Sequence, residues 1–130
     1  MSVYLESSAA AKLLVSEAET AALTRYLDKQ SDKGIAIVSG FILETELRRL
    51  AVRLDLDQLV VSNLLDRLDL YEADRATFTE AGLLPGKNLR SLDALHIAMA
   101  IRVAAPEMIT YDQRQADSAM AVGLRVIAPD

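Results

Sequence analysis

Short apolar runs alternate along the chain with longer stretches in which apolar residues recur at helical spacing. Residues 3–5 form the first run, and residues 35–38 follow Gly34 as a continuous apolar run typical of a strand buried on both faces. Similar short runs occur at 69–71, 108–110 and 124–127. The pattern predicts a sheet of four to five short strands.

Helical spacing is clearest over residues 43–54, where leucine and alanine recur on one face. Residues 91–103 are apolar almost all round, which predicts a buried central helix. Further helices are predicted over 9–15, 17–30, 57–68, 73–81 and 113–121. The one convincing loop is 83–88, which contains Pro85 and Gly86.

Strands that alternate with helices predict an α/β fold, because each parallel connection needs a crossover. The 130 residues fit a single domain over 1–130, and no linker or internal repeat divides them. We expect a three-layer α/β/α arrangement with a central, mostly parallel sheet.

Composition and charge narrow the functional classes. The net charge is −5, from 19 acidic and 14 basic residues, which disfavours nucleic-acid binding by simple phosphate neutralisation. The chain has no cysteine, which excludes disulfides, thiolate metal sites and cysteine nucleophiles. There is neither a basic amino-terminal leader nor an apolar run long enough for a membrane span. We expect a soluble cytoplasmic protein that does not associate with membranes.

Two acidic residues come at or just after the ends of predicted strands. Glu6 comes after residues 3–5, and Asp112 comes after the run 108–110 and Tyr111. Ligands of open parallel sheets bind beyond the carboxyl ends of the strands. We therefore expect Glu6 and Asp112 to lie at the same rim of the sheet.

Three further acidic residues lie on predicted helices. Glu46 borders the apolar stripe of 43–54, Asp93 lies near the start of the helix at 91–103, and Asp117 follows in the last helix. Taken singly, ordinary structural roles are favoured: helix-dipole complementation for Asp93, a surface ion pair for Glu46, an N-cap for Asp112.

Taken together, the acids predict a cation site. Two unit charges ~4 Å apart repel by about 4 kcal/mol at an effective dielectric of 20, so clustered carboxylates bind cations or shift their pKa values. Oxygen ligands without His or Cys favour Mg²⁺, with Mn²⁺ as a substitute. Such an ion would orient water and stabilise the leaving oxygen of a phosphodiester.

Four segments, YLESSA at 4–9, SGFILETELRR at 39–49, LRSLDALHIA at 89–98 and TYDQR at 110–114, occur in an order that resembles a known family. Gly123, Leu124, Ala128 and Pro129 extend the last of them. With these segments the chain resembles the PIN-domain family, specifically the VapC-type toxins of bacterial toxin–antitoxin pairs. The resemblance implies a PIN-like domain over the whole chain.

The resemblance also implies a metal-dependent endoribonuclease that a VapB-type antitoxin neutralises, and it implies a homodimer. Carried over by position, the catalytic acids are Glu6, Glu46, Asp93 and Asp112, and these same residues with Asp117 are the metal ligands. Ser8, Thr110 and His96 support the site, and we expect His96 to be packed and hydrogen-bonded rather than a ligand. Lys87 and Arg90 flank the predicted site helix and are our candidates for RNA contacts.

The chain departs from the family pattern at position 6, where the family has aspartate and this chain has Glu6. One methylene moves a carboxylate by up to about 1.5 Å. The octahedron of Mg²⁺ tolerates little error, and a 1 Å misplacement can lower a rate ~10²-fold. We therefore predict weak or absent nuclease activity relative to the Glu6→Asp variant.

Two alternatives to a metal-dependent nuclease remain. A phosphoacceptor receiver domain also gathers carboxylates and Mg²⁺, but it needs a lysine near the last strand, and no lysine follows Lys87. An acidic-groove binding module, a catalytically inactive PIN domain, would capture a basic antitoxin peptide without cleaving RNA.

Overall fold

The computed structural model describes residues 1–130, with five strands in one sheet of order β3-β2-β1-β4-β5. Every neighbouring pair is parallel. The strands are β1 (Ser2–Leu5), β2 (Ala36–Gly40), β3 (Asp69–Tyr71), β4 (Glu107–Ile109) and β5 (Arg125–Ile127). The predicted α/β fold is confirmed, and the sheet is parallel throughout.

Seven helices connect the strands and cover both faces of the sheet. They are α1 (Ser7–Ala11), α2 (Thr20–Asp32), α3 (Ile42–Arg53), α4 (Gln58–Leu65), α5 (Arg75–Leu83), α6 (Ser91–Arg102) and α7 (Gln113–Ala121). One buried cluster joins the sheet to α1–α4, and a second joins it to α6 and α7. None of the helices has the length and apolar character needed to cross a membrane.

Alternation along β1 decides which side chains meet which layer. Val3 and Leu5 pack into the cluster with α1–α4, whereas Tyr4 points to the opposite face and packs with α6. All three side chains are at most 1% exposed. Tyr4 therefore lies deep in the molecule, on the same face of the sheet as the helix that carries Asp93.

The strand order creates a crevice beside β1. The chain passes from β1 to β2 and β3 on one side, then crosses to place β4 on the other side of β1. The segment after β1 enters α1 on one face, and the segment after β4 enters α7 on the other. Ligands of open α/β sheets bind at such a switch point.

Several element boundaries differ from the sequence prediction. The helix expected at 9–15 is α1, which begins at Ser7 because the Glu6 side chain accepts a hydrogen bond from the Ser8 amide and caps it. The strand expected at 35–38 extends to Gly40, because Ser39 and Gly40 pair with β3. The helix expected at 57–68 ends at Leu65, where turns replace its last residues.

Candidate active site

Glu6 and Asp112 lie at the switch point, beyond the carboxyl ends of the adjacent strands β1 and β4. The Glu6 amide donates to the carbonyl of Ile109 at 3.1 Å, so the end of β4 lies directly beside it. Asp112 follows two residues after Thr110, whose side chain contacts Glu6. The expectation that these two acids share one rim agrees with this geometry.

The Glu6 carboxylate is surrounded by hydrogen-bond donors. Its Oε2 accepts from the Ser8 amide at 3.0 Å, from Ser8 Oγ at 2.6 Å and from Thr110 Oγ1 at 2.7 Å. Its Oε1 accepts from Ser7 Oγ at 2.9 Å, and the residue is 2% exposed. Glu6 therefore links the start of α1 to the segment after β4, and both of its oxygens are in use.

Asp112 is the N-cap of α7. Its Oδ1 accepts from the amides of Arg114 at 2.9 Å and Gln115 at 3.3 Å. Its own amide donates to Thr110 Oγ1 at 3.1 Å. These bonds fix Oδ1 on the helix and leave the second oxygen, Oδ2, free of the cap.

Asp93 lies in the first turn of α6 and is half-buried. Burial raises its pKa above the usual range for aspartate, and the negative charges of Asp112, Glu6 and Glu46 raise it further. Asp112, Glu6 and Glu46, which come from separate segments of the sequence, therefore lie within electrostatic reach of Asp93. Gln115 Nε2 donates to the Asp93 carbonyl at 3.1 Å, which ties α7 to α6 behind the acids.

Glu46 approaches the site from α3 and is held by His96 of α6. Glu46 Oε1 lies 2.6 Å from His96 Nε2, and the imidazole is fully buried. The other ring nitrogen, Nδ1, lies 2.7 Å from the hydroxyl of Tyr4. His96 is thus packed and hydrogen-bonded, as the sequence predicts.

A depression of about 280 Å³ adjoins Asp93 at the surface. Lys87 from the loop before α6 lines it with Arg114 and Asp117 of α7. Asp117 is exposed and accepts a hydrogen bond from Gln113 Nε2 at 2.7 Å. It therefore lies at the solvent-exposed edge of the site and not in its buried part. Arg90 is the N-cap residue of α6 and does not line this depression.

The oxygen donors of this site meet some of the requirements of a hard divalent cation. No three Asp, Glu or His side chains are arranged as a ready-made metal site. Mg²⁺, however, commonly keeps several waters and binds through only one or two carboxylates. Asp93 and Asp112 fit that requirement by their chemistry, whereas Glu6 would first have to give up hydrogen bonds within its cap.

Sequence reasoning missed three residues around these acids. Tyr4 looked like an ordinary core residue of β1, and no local pattern pairs it with His96, 92 positions away. Gln115 is fully buried and its Oε1 has no hydrogen-bond partner, whereas the sequence would predict an ordinary exposed polar residue on a helix. Arg114 is the last residue of the TYDQR segment, and its position two residues after Asp112 was the available signal for its place beside the acids.

Comparison with known proteins identifies the family. The sequence model described as "PIN domain" matches residues 3–119. Two relatives from Mycobacterium tuberculosis are Ribonuclease VapC35, 36% identical over 98% of this chain and 96% of the relative, and Ribonuclease VapC46, 37% identical over 98% and 97%.

Solved structures share the fold at lower identity. VapBC2 from Rickettsia felis, solved with a promoter DNA fragment, superposes with a TM-score of 0.77 at 17% identity over 100% of both chains. FitAB bound to an IR36 DNA fragment superposes with a TM-score of 0.73 at 16% identity, covering 98% of this chain and 94% of the other. The chain belongs to the PIN-domain family and, by its relatives, to the VapC-type branch of that family.

Proposed function

We propose that this chain is an endoribonuclease toxin that hydrolyses RNA phosphodiester bonds with Mg²⁺ and is neutralised by an antitoxin. The main observation in its support concerns Asp93, which is half-buried at the switch point. The negative charges of Asp112, Glu6 and Glu46 help to raise the pKa of this residue. Such like-charge crowding favours a bound cation. The ribonuclease names of the relatives point to the same reaction.

Asp93 and Asp112 would hold the cation, with Mn²⁺ as a substitute for Mg²⁺. Glu46 and Asp117 lie on the flanks of this pair, on α3 and α7, and would act through ordered water. When bound, the ion supplies charge neutralisation for phosphate and a more acidic water for attack.

The protein's own residues supply orientation. The N-cap bonds of α7 hold Asp112 Oδ1. The hydrogen bond from Gln115 to the backbone carbonyl of Asp93 fixes α7 against α6, the two elements that carry these acids. Lys87 and Arg114 line the adjoining depression and would bind the phosphates of RNA, with Arg90 at the start of α6 as a further contact. With only two Phe, four Tyr and no Trp in the chain, extended base stacking is disfavoured.

Glu6 would weaken the reaction in this chain. Its longer side chain turns back onto the start of α1, where both carboxylate oxygens accept hydrogen bonds. An aspartate keeps the ability to cap a helix while its carboxylate lies closer to the backbone. We therefore expect the Glu6→Asp variant to be the more active nuclease.

A basic antitoxin fits the surface of this protein. The net charge is −5, and opposite charge on a partner speeds association. Leu54 at the end of α3 is 48% exposed, and Leu59 and Val60 on α4 are 62% and 43% exposed, which offers apolar area to a partner helix. The solved neighbours VapBC2 and FitAB carry two-component names consistent with such a pair. A cytoplasmic homodimer remains part of this proposal.

A second candidate is the binding module that captures an antitoxin without cleaving RNA. The observation that favours it is the engagement of both Glu6 oxygens in hydrogen bonds, which removes one acid from metal binding. The two candidates differ in whether any Mg²⁺-dependent cleavage exists when position 6 is restored.

Cleavage of total RNA separates these candidates. We would compare the chain with its Glu6→Asp and Asp93→Ala variants in Mg²⁺ and in EDTA. The nuclease proposal expects about 10²-fold faster Mg²⁺-dependent cleavage for Glu6→Asp, the rate effect typical of a 1 Å correction. It expects none for Asp93→Ala. Absence of cleavage by all three proteins would favour the binding module, and equal cleavage by the chain and Glu6→Asp would refute the role given to Glu6.

A further inference from the structure

A chain of hydrogen bonds runs from the backbone of β2 through the protein interior to Glu46. The Gly40 amide donates to the Tyr4 hydroxyl at 3.2 Å. That hydroxyl lies 2.7 Å from His96 Nδ1, and His96 Nε2 lies 2.6 Å from Glu46 Oε1. Tyr4 and His96 are fully buried, whereas the Glu46 side chain is 22% exposed. This series of hydrogen bonds thus ends on Glu46, the acid that approaches the site from α3.

The Gly40 amide favours one direction for these hydrogen bonds. A backbone N–H only donates, so the Tyr4 oxygen accepts from Gly40 and its single proton is available for His96 Nδ1. Burial raises the pKa of Tyr4 above its usual range, so the phenol keeps that proton at neutral pH. With Nδ1 as the acceptor, Nε2 carries the imidazole proton and donates a hydrogen bond to Glu46 Oε1.

The opposite tautomer is disfavoured by the same contacts. It would place an unprotonated Nε2 against a carboxylate oxygen at 2.6 Å, where two lone pairs repel. It would also take away the acceptor that His96 Nδ1 offers to the buried Tyr4 hydroxyl proton, because the Tyr4 oxygen would then accept from both Gly40 and His96.

Glycine at position 40 allows this approach. A Cβ there would lie 3.3 Å from the Tyr4 hydroxyl and 3.2 Å from Met99 Cγ. A larger residue would therefore push against both groups and separate the amide from Tyr4.

We propose that Tyr4 and His96 are positioning residues, which hold the Glu46 carboxylate at the site through one fixed imidazole tautomer. This inference rests on the proposed nuclease function, because it assigns a purpose to Glu46 in the same site. The buried ring binds Oε1 and leaves Oε2 free of that bond. Outer partners of this kind orient the carboxylates that act on a metal or substrate.

Nuclear magnetic resonance tests the tautomer without any nuclease activity. The chain has a single histidine, so its ¹⁵N signals are unambiguous. We expect Nε2 to be protonated and Nδ1 unprotonated in the metal-free protein at neutral pH. Tyr4→Phe should shift the Nδ1 signal, and Glu46→Gln should shift the Nε2–H signal. A protonated Nδ1, with or without a proton on Nε2, or the tautomer mixture of a free imidazole, would overturn the inference.

A double-mutant cycle tests the positioning role. In the Glu6→Asp protein with Mg²⁺, Tyr4→Phe should lower kcat about 10- to 100-fold, the effect typical of an outer partner, with KM for RNA little changed. In the same protein carrying Glu46→Gln, Tyr4→Phe should cause no further loss. Equal losses in both backgrounds would mean that Tyr4 acts on stability alone, and would overturn the inference.

Tyr26→Phe is the matched control, because Tyr26 is a partly buried tyrosine on α2 whose hydroxyl lies outside the chain of bonds. It should leave kcat unchanged. The two readouts also separate the proposals. If no variant cleaves RNA although the Nε2–H tautomer is present, the nuclease function is refuted. If RNA is cleaved although the opposite tautomer is present, only the positioning role of Tyr4 and His96 is refuted.

Discussion

Asp93 is the acidic residue whose pKa responds to the neighbouring negative charges. Burial and the charges of Asp112, Glu6 and Glu46 together raise its pKa. An acid with a raised pKa holds its proton more tightly in the folded than in the unfolded protein. The ionised Asp93 side chain therefore destabilises the folded protein. This destabilisation is absent below the ordinary pKa of aspartate, roughly pH 4, and grows as the pH rises through the raised pKa.

Asp93→Asn should therefore stabilise the metal-free protein at neutral pH. The gain should be less than about 1 kcal/mol, because solvent screens a half-exposed charge. It should shrink as the pH falls toward about 4, where the native carboxyl becomes protonated. Urea unfolding in EDTA at several pH values measures this effect.

Asp28→Asn is the control, since Asp28 is exposed on α2 and carries only a loose pair with Arg67 at 3.8 Å. It should show no comparable pH-dependent gain. Added Mg²⁺ should stabilise the native protein more than the Asp93→Asn variant. The assignment of Asp93 would be contradicted if that variant were less stable than the native chain at neutral pH in EDTA.

Thr110 holds the buried Glu6 carboxylate from the end of β4. Its hydroxyl donates to Glu6 Oε2 at 2.7 Å, and the residue is 1% exposed. Thr110→Val keeps the shape but leaves the carboxylate short of a donor. We expect a loss of about 1–3 kcal/mol in the free energy of unfolding. Thr79→Val, an exposed threonine on α5, should change stability by much less. Equal stability of Thr110→Val and the native protein would show that this bond contributes nothing.

At the scale of elements, the N-cap of α7 has a structural function and is also proposed to have a chemical one. Asp112 caps the helix through Oδ1 and belongs to the candidate metal pair. Asparagine caps a helix about as well as aspartate, whereas alanine does not. The two functions can therefore be separated by substitution.

Asp112→Asn should leave the free energy of unfolding nearly unchanged, and Asp112→Ala should lower it by about 0.5–2 kcal/mol. Both should abolish Mg²⁺-dependent cleavage in the Glu6→Asp protein, since each removes the charge. Thermal unfolding and RNA cleavage of the same preparations provide the two measurements. Full cleavage by Asp112→Asn would exclude Asp112 from the metal pair.

Elements with a strong local pattern were predictable. The helix predicted over 113–121 is α7, with the same bounds, and the one predicted over 91–103 ends one residue earlier as α6. The start of α1 was not predictable, because glutamate is a less common cap and the cap depends on Ser8 and Thr110 folding around it. A pattern of apolar positions contains no information on that contact.

At the scale of the whole molecule, we expect the charge of −5 to make any RNA binding depend on cations. We expect a labelled RNA to show no binding in EDTA and to bind when Mg²⁺ is added, as measured by fluorescence anisotropy. The reason is that the acids at the switch point repel phosphate until a divalent ion lies between them. Tight binding in EDTA that falls with salt would instead indicate metal-free phosphate neutralisation.

The sequence by itself determined the α/β class, because strand-like runs alternate with helical stretches, and the family resemblance of LRSLDALHIA and TYDQR. It also indicated which acids follow strands, since a local run defines a strand end. Their catalytic and metal roles remain predictions.

Only the tertiary structure decided what each acid touches. The strand order puts β1 beside β4, which encloses Glu6 between Ser8 and Thr110. The packing of α6 against the sheet brings His96 between Tyr4 and Glu46, residues 92 and 50 positions away along the chain. The physical reason is that hydrogen bonds act over about 3 Å in space, whereas a sequence pattern reports only neighbours along the chain.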